Sequence, residues 1–132
     1  MSKYEGRVEI VNGSRRAAFV RGEGGWQPDW FYLGPRRMLR FKDHEWLSIG
    51  HVKPTAAAEV EELPDGGAIF RSISLYGRTE VHWSVRICPD RLSKGFEIET
   101  MLQPTEAIEL LEAHSAFETP YEDEGVETVT TV

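Results

Sequence analysis

A chain of 132 residues, 40% apolar and 28% charged, is long enough for one domain with a buried core and too apolar for wholesale disorder. The net charge of −7 is unevenly spread: ten Lys/Arg face six Asp/Glu in residues 1–53, and five face sixteen in residues 54–132. Halves of opposite sign attract one another, and an acidic chain lacks the continuous basic surface that nucleic-acid binding requires.

The opening stretch Met1-Ser2-Lys3-Tyr4-Glu5-Gly6 has no apolar leader region, and no later stretch approaches a membrane span. No membrane partner is expected, and the default setting is cytoplasmic. Val8, Ile10 and Val11 lead into Asn12-Gly13, and Ala17, Phe19 and Val20 follow, which predicts a hairpin closed by a tight turn. The glycines of Gly22-Glu23-Gly24-Gly25 lack the Lys-Ser/Thr ending of a phosphate-binding loop and serve a bend. Trp26, Trp30 and Tyr32 then cluster around Pro28 and Asp29 in a region that reads as loop. Short strands are expected at Met38–Phe41 and Trp46–Ile49, divided by the polar turn Lys42-Asp43-His44-Glu45.

Ala56 to Leu63 fits strand or helix by composition. The turn Pro64-Asp65-Gly66-Gly67 and the strand-like Ala68–Ile73 after it suggest a second hairpin. The clearest strand is Glu80–Cys88, with Val81, Trp83, Val85 and Ile87 on one face and Glu80, His82, Ser84 and Arg86 on the other. Cys88, the only cysteine, excludes an internal disulfide and reads as a half-buried, inert thiol. Phe96–Leu102 alternates again, so pairing of the two strands would bring His82 and Arg86 near Glu97 and Glu99. Thr105 to His114 is ambiguous between strand and one or two helical turns capped by Thr105, with the helix favoured. After the acidic turn Glu122-Asp123-Glu124-Gly125, the run Val126–Val132 has strong strand propensity and ends without a cap or polar tail, so the chain looks cut.

The segment Gly24–Trp46 carries the densest chemistry. Rings interleaved with arginines and carboxylates suit a polar, hydroxyl-rich or anionic ligand, because rings cover its apolar patches while charged groups pair with its polar edge. Trp26 and Trp30 are candidate stacking platforms, Arg37 and Arg40 candidate partners for hydroxyls or a carboxylate, and Asp43, His44 and Glu45 candidate proton carriers, with His82 a further contact. A carboxylate beside an imidazole can orient it and raise its basicity, which makes His44 and Glu45 the weak catalytic candidates. No HExxH, Cys-His or Gly-x-Ser-x-Gly pattern occurs, so neither a metal, a cofactor nor a serine nucleophile is expected.

Trp30-Phe31-Tyr32-Leu33-Gly34-Pro35-Arg36-Arg37-Met38-Leu39-Arg40-Phe41, the Asp43-His44-Glu45-Trp46 turn, the Val81–Ile87 strand, and Gly95-Phe96-Glu97-Ile98-Glu99-Thr100 followed by Phe117-Glu118-Thr119-Pro120-Tyr121 together resemble the N-terminal portion of a galactose-mutarotase-like β-supersandwich. The resemblance covers most of this chain and half or less of such a fold. It implies a carbohydrate-facing sheet; in the epimerases of that family a His acid and a carboxylate base open the sugar ring. The Asn-His-x-Tyr-Trp-Asn and His-Gly-Gly stretches of aldose epimerases are missing, so no catalytic residue carries over.

The reading is therefore a mainly β chain: residues 1–132 form a single antiparallel β-sandwich domain, supersandwich-like and incomplete, with at most one short helix. Its expected role is carbohydrate binding or processing, incomplete as a catalyst, with the oligomeric state left open. Two alternatives stand beside it: a small lipocalin-like β-barrel enclosing an apolar ligand, and a protein-interaction module.

Overall fold

The computed structural model describes residues 6–109 and 113–120 with their side chains, and the backbone of residues 127–131. The strands are β1 (Gly6–Asn12), β2 (Arg15–Gly22), β3 (Gly25–Leu33), β4 (Arg36–Phe41), β5 (Ser48–Ile49), β6 (Glu59–Glu62), β7 (Ala68–Tyr76), β8 (Thr79–Pro89), β9 (Phe96–Pro104), β10 (Ala113–Glu118) and β11 (Glu127–Thr131), with a 3-10 turn at Lys42–His44. They form two antiparallel sheets. The first runs β1-β2-β3-β4-β10-β11 with β5 also on β10, and the second runs β6-β7-β8-β9.

Both predicted hairpins form. Asn12-Gly13 turns β1 into β2, with Gly13 at φ 64°, and Asp65 closes the β6–β7 turn by accepting the Gly67 amide at 2.9 Å. The interval around Pro28 and Asp29, expected as loop, is strand instead. Pro28 is tolerated there because β4 reaches back only to Trp30, so the edge of β3 beside Pro28 has no β4 partner asking for an amide. The described residues of Thr105–His114 also depart from the favoured helix. The Thr105 amide and hydroxyl both donate to the Glu80 carbonyl, at 2.9 and 3.1 Å, which prolongs the β8–β9 ladder where a helix cap was expected. Residues 105–109 contain no helix, and His114 lies within β10. The acidic turn at 122–125 lies outside the described residues.

Alternation along the strands becomes a core between the sheets. Ile10, Phe19, Phe31, Phe41 and Phe117 of the first sheet meet Phe70, Val81, Trp83, Val85 and Ile87 of the second, each side chain gaining about 1.5–3 kcal/mol from burial. Trp46 sits at the centre with no exposed surface. Its ring stacks on Phe19 at 5.5 Å and 10°, and touches Phe70 at 4.6 Å, Phe41 at 5.4 Å and Trp83 at 6.4 Å. The space that a lipocalin-like barrel would keep for a ligand is filled by these rings.

Two backbone hydrogen bonds tie β3 of the first sheet to the stretch that leads into β6 of the second: the Trp26 amide donates to Ala57 O at 2.8 Å, and the Ala57 amide to Trp26 O at 2.7 Å. Trp26 O also accepts the Trp46 indole N–H at 2.9 Å. Gly25, at φ 125°, makes this approach possible, since a Cβ there would stand 2.4 Å from the Ala57 oxygen.

Candidate functional site

The aromatic segment divides between the two sides of the first sheet, and bulges decide how. Between Phe19↔Pro28 and Ala17↔Phe31 the register gives β3 one more residue than β2, and between Phe31↔Leu39 and Tyr32↔Arg37 it gives β4 one more than β3. Each bulge reverses the side-chain parity. Trp26 therefore points inward, packed edge-on against Phe70 at 6.2 Å, and is no platform for a ligand. Trp30, four residues on, projects outward with its cross-strand neighbour Arg40. Arg37 and Arg40 lie 5.2 and 4.9 Å from the Trp30 ring centre.

Arg40 is heavily engaged. Its Nε donates to Glu118 Oε1 at 2.6 Å, and Nη1 lies 3.1 Å from His44 Nε2. A guanidinium only donates, so Nε2 accepts, the imidazole proton sits on Nδ1, and Nδ1–H donates to the Pro28 carbonyl at 3.2 Å. Both ring nitrogens of His44 are thus engaged, Nε2 by Arg40 and Nδ1 by the Pro28 carbonyl. Asp43 and His44 both adopt left-handed backbone, φ 55° and 59°, and this tight turn aims the Asp43 amide at Glu118 Oε1, 3.2 Å away. Burial pushes the Glu118 carboxyl up, but the Asp43 amide, the Arg40 hydrogen bond and the charges of Arg40 and Lys42 outweigh it and hold it below the usual glutamate range. The Asp43 side chain is exposed, and the half-buried Glu45 carboxylate has no partner among the described residues.

Further along the same outer face Arg16 lies 4.2 Å over the Tyr32 ring and pairs with Glu9 at 2.7 Å, while Arg7 joins Glu9 at 2.8 Å and Asp29 at 3.8 Å. Arg7 and Arg16 hold Glu9 low despite its partial burial. The structure gathers Trp30, His44 and Glu118 around Arg40, with Arg37 on the same Trp30 ring. Glu118 carries no local sequence signal for this role, because it reaches Arg40 through β4–β10 pairing across 78 residues.

His82 stands apart, on the outer face of the second sheet. The register sets Ile73, His82 and Gln103 in one cross-strand row, and Glu59, Arg71, Ser84 and Met101 in the next. Together with Ala58, Ser72 and Trp83 these residues line a concavity of about 550 Å³. Ile73 and Met101 are 52% and 59% exposed within it. Among the described residues the side chains of Glu59, His82, Ser84 and Gln103 form no hydrogen bond, while Arg71 pairs with Glu61 at 2.7 Å near its edge. His82 faces Gln103 instead of the expected glutamates. Arg86 does oppose Glu99 but turns its guanidinium to Asp65, 3.6 Å away. Of this face the sequence nominated His82 alone; the strict alternation of β7, β8 and β9 held the rest, once the register was known.

Elsewhere, burial and a hydrogen bond to Asp65 push the Cys88 thiol up, which disfavours its thiolate form. His51 packs against Tyr76, ring centres 5.7 Å apart. Among the described residues no group of three or more His, Cys, Asp and Glu side chains could hold a metal ion, and no helix is long and apolar enough to cross a membrane. No protein family, curated protein or solved structure matches the chain.

Proposed function

We propose that this chain binds a carbohydrate on the open face of the second sheet, within a larger galactose-mutarotase-like sandwich and in a cytoplasmic setting. The observation that carries the reading is the concavity lined by Glu59, Arg71, Ile73, His82, Ser84, Met101 and Gln103, whose volume of about 550 Å³ falls in the range of small-ligand sites. A sugar offers hydroxyls around its rim and C–H patches on its faces. Gln103, His82, Ser84, Arg71 and Glu59 supply donors and acceptors for the rim, and Ile73 and Met101 supply apolar surface for the faces. The role proposed is binding: His44 has both ring nitrogens engaged, and it sits in the 3-10 turn that follows β4, whereas His82 stands on β8.

Titration calorimetry against neutral and acidic mono- and oligosaccharides tests the reading. Binding is expected in the wild type and in Trp30→Ala, and is lost in His82→Ala and in Gln103→Ala. Silence of the wild type across the panel, or loss in Trp30→Ala with His82→Ala unaffected, would overturn it.

A further inference from the structure

We infer that β9 is the contact through which two copies of this chain associate, pairing antiparallel about a two-fold axis at Thr100 to join their second sheets into one. Among the described residues β1, β11, β6 and β9 end the two sheets and β5 pairs with β10 alone, and β9, with nine residues, is longer than any of the others. The Thr105 amide donates to Glu80 O, so Thr105 and Glu80 form a hydrogen-bonded pair. Antiparallel alternation then directs the backbone groups of Glu97, Glu99, Met101 and Gln103 toward β8, and those of Phe96, Ile98, Thr100, Leu102 and Pro104 away from it. No described strand meets that outer side. Proline, which has no amide to donate, sits on the open side, where its missing donor breaks no bond to β8.

An open edge of this length is a template for another strand, and β9 is complementary to itself in one register. With the two-fold on Thr100, the whole of β9 overlaps. Thr100 exchanges both backbone bonds with its symmetry mate, Ile98 pairs with Leu102 and Phe96 with Pro104. On the solvent face Glu99 then stands opposite Met101, and Glu97 opposite Gln103, so no two carboxylates meet. A two-fold on Ile98 would set Glu97 against Glu99, and one on Glu99 would oppose two copies of Glu99. A two-fold on Met101 leaves Phe96 outside the pairing. Phe96, Ile98 and Leu102 are only partly buried at this edge, and pairing covers them further.

The pairing also completes the concavity. Met101 and Gln103 form its β9 side, and Glu99 and Glu97 of the second copy would stand next to them as additional acceptors. That consequence rests on the carbohydrate reading; the dimer itself does not.

Sedimentation velocity over about 1 μM to 1 mM protein, with residue-resolved amide exchange at both ends of the series, tests the proposal. The dimer is expected to grow with concentration, and the amides of Ile98, Thr100 and Leu102 to gain protection with it. Those of Glu99 and Met101, bonded to β8, stay protected throughout. Thr100→Pro removes the central donor from the open side only and abolishes the dimer. Met101→Glu, which sets a carboxylate opposite Glu99 of each copy without touching the backbone, weakens it about tenfold. Circular dichroism checks that both variants fold. A monomer across the whole series, a dimer that survives both substitutions, or protection that grows on β1 or β6 with β9 unchanged would overturn the proposal. Sugar binding by a strict monomer would overturn it while leaving the carbohydrate reading intact.

Discussion

Gly25→Ala places a methyl carbon where the fold has no room for one. The Cβ would stand 2.4 Å from the Ala57 carbonyl oxygen and 3.1 Å from its carbon, on a backbone at φ 125°. Relieving the contact requires about 0.8 Å of separation, which stretches the 2.8 Å bond from the Trp26 amide to Ala57 O beyond hydrogen-bonding range and strains its 2.7 Å counterpart. Two backbone bonds at about 1 kcal/mol each, and about 1 kcal/mol for a side chain in disfavoured backbone, give a destabilisation of about 3 kcal/mol. For a chain of this length that lowers the thermal midpoint by about 10–15 °C. The neighbouring Gly24→Ala is the control, since its Cβ meets only the Ala56 methyl at 3.6 Å, an ordinary contact. It is expected to leave the midpoint unchanged or slightly raised, because alanine restricts the unfolded chain. Differential scanning calorimetry of the two variants decides the matter, and equal midpoints would refute the claim that Gly25 licenses the Trp26–Ala57 pairing.

Acidification tests the Arg40–Glu118 pair. A carboxyl held below its ordinary range stabilises the fold at pH values above that range and loses the contribution as pH falls from there through its lowered value. Glu118→Gln is therefore expected to cost about 1 kcal/mol at neutral pH and progressively less as acid protonates Glu118, measured by urea denaturation; a pH-independent difference would sink the assignment. Trp46→Ala, at the fully buried centre, is expected to lose about 4 kcal/mol, whereas Trp30→Ala, which gives up two surface cation–π contacts, loses about 1 kcal/mol; similar losses in a denaturant titration would contradict the inward and outward assignments. Asn12→Ala removes the amide that donates to Asp90 O at 2.9 Å and Gly95 O at 2.8 Å, and is expected to speed amide exchange in the β8–β9 turn while β7 keeps its protection.

The strands that the sequence announced are those whose period is unbroken. Val81, Trp83, Val85 and Ile87 fall inside because nothing interrupts the alternation of β8, and Asn12-Gly13 and Pro64-Asp65-Gly66-Gly67 turn where their chemistry requires. The candidate site was less legible. Trp26 and Trp30 share a parity in the sequence, yet the extra residue in β3 between them sends one inward and the other outward. Arg37 and Arg40 have opposite parity, yet the extra residue in β4 puts both beside Trp30. A bulge is set by the partner strand, and no local pattern reports it. The described residues of Thr105–His114 depart from a helix for a related reason: the spacing of Ala107, Leu110, Leu111 and His114 suits a helix, but Thr105 is held by the ladder between β8 and β9.

The first sheet is assembled from two distant stretches of chain, β1–β5 and β10–β11, with the whole second sheet lying between them in sequence. As the chain leaves the ribosome, the N-terminal meander is complete long before the strand that pairs with β4 exists. Until residues 113–118 emerge, the β4 flank of that meander is open and Phe41 lacks the cover of Phe117, whose ring lies 4.7 Å from its own in the finished fold. Nascent chains therefore pass through an interval in which an apolar, hydrogen-bond-hungry edge is on offer, and holding that edge apart from other chains is a kinetic demand this topology places on its synthesis.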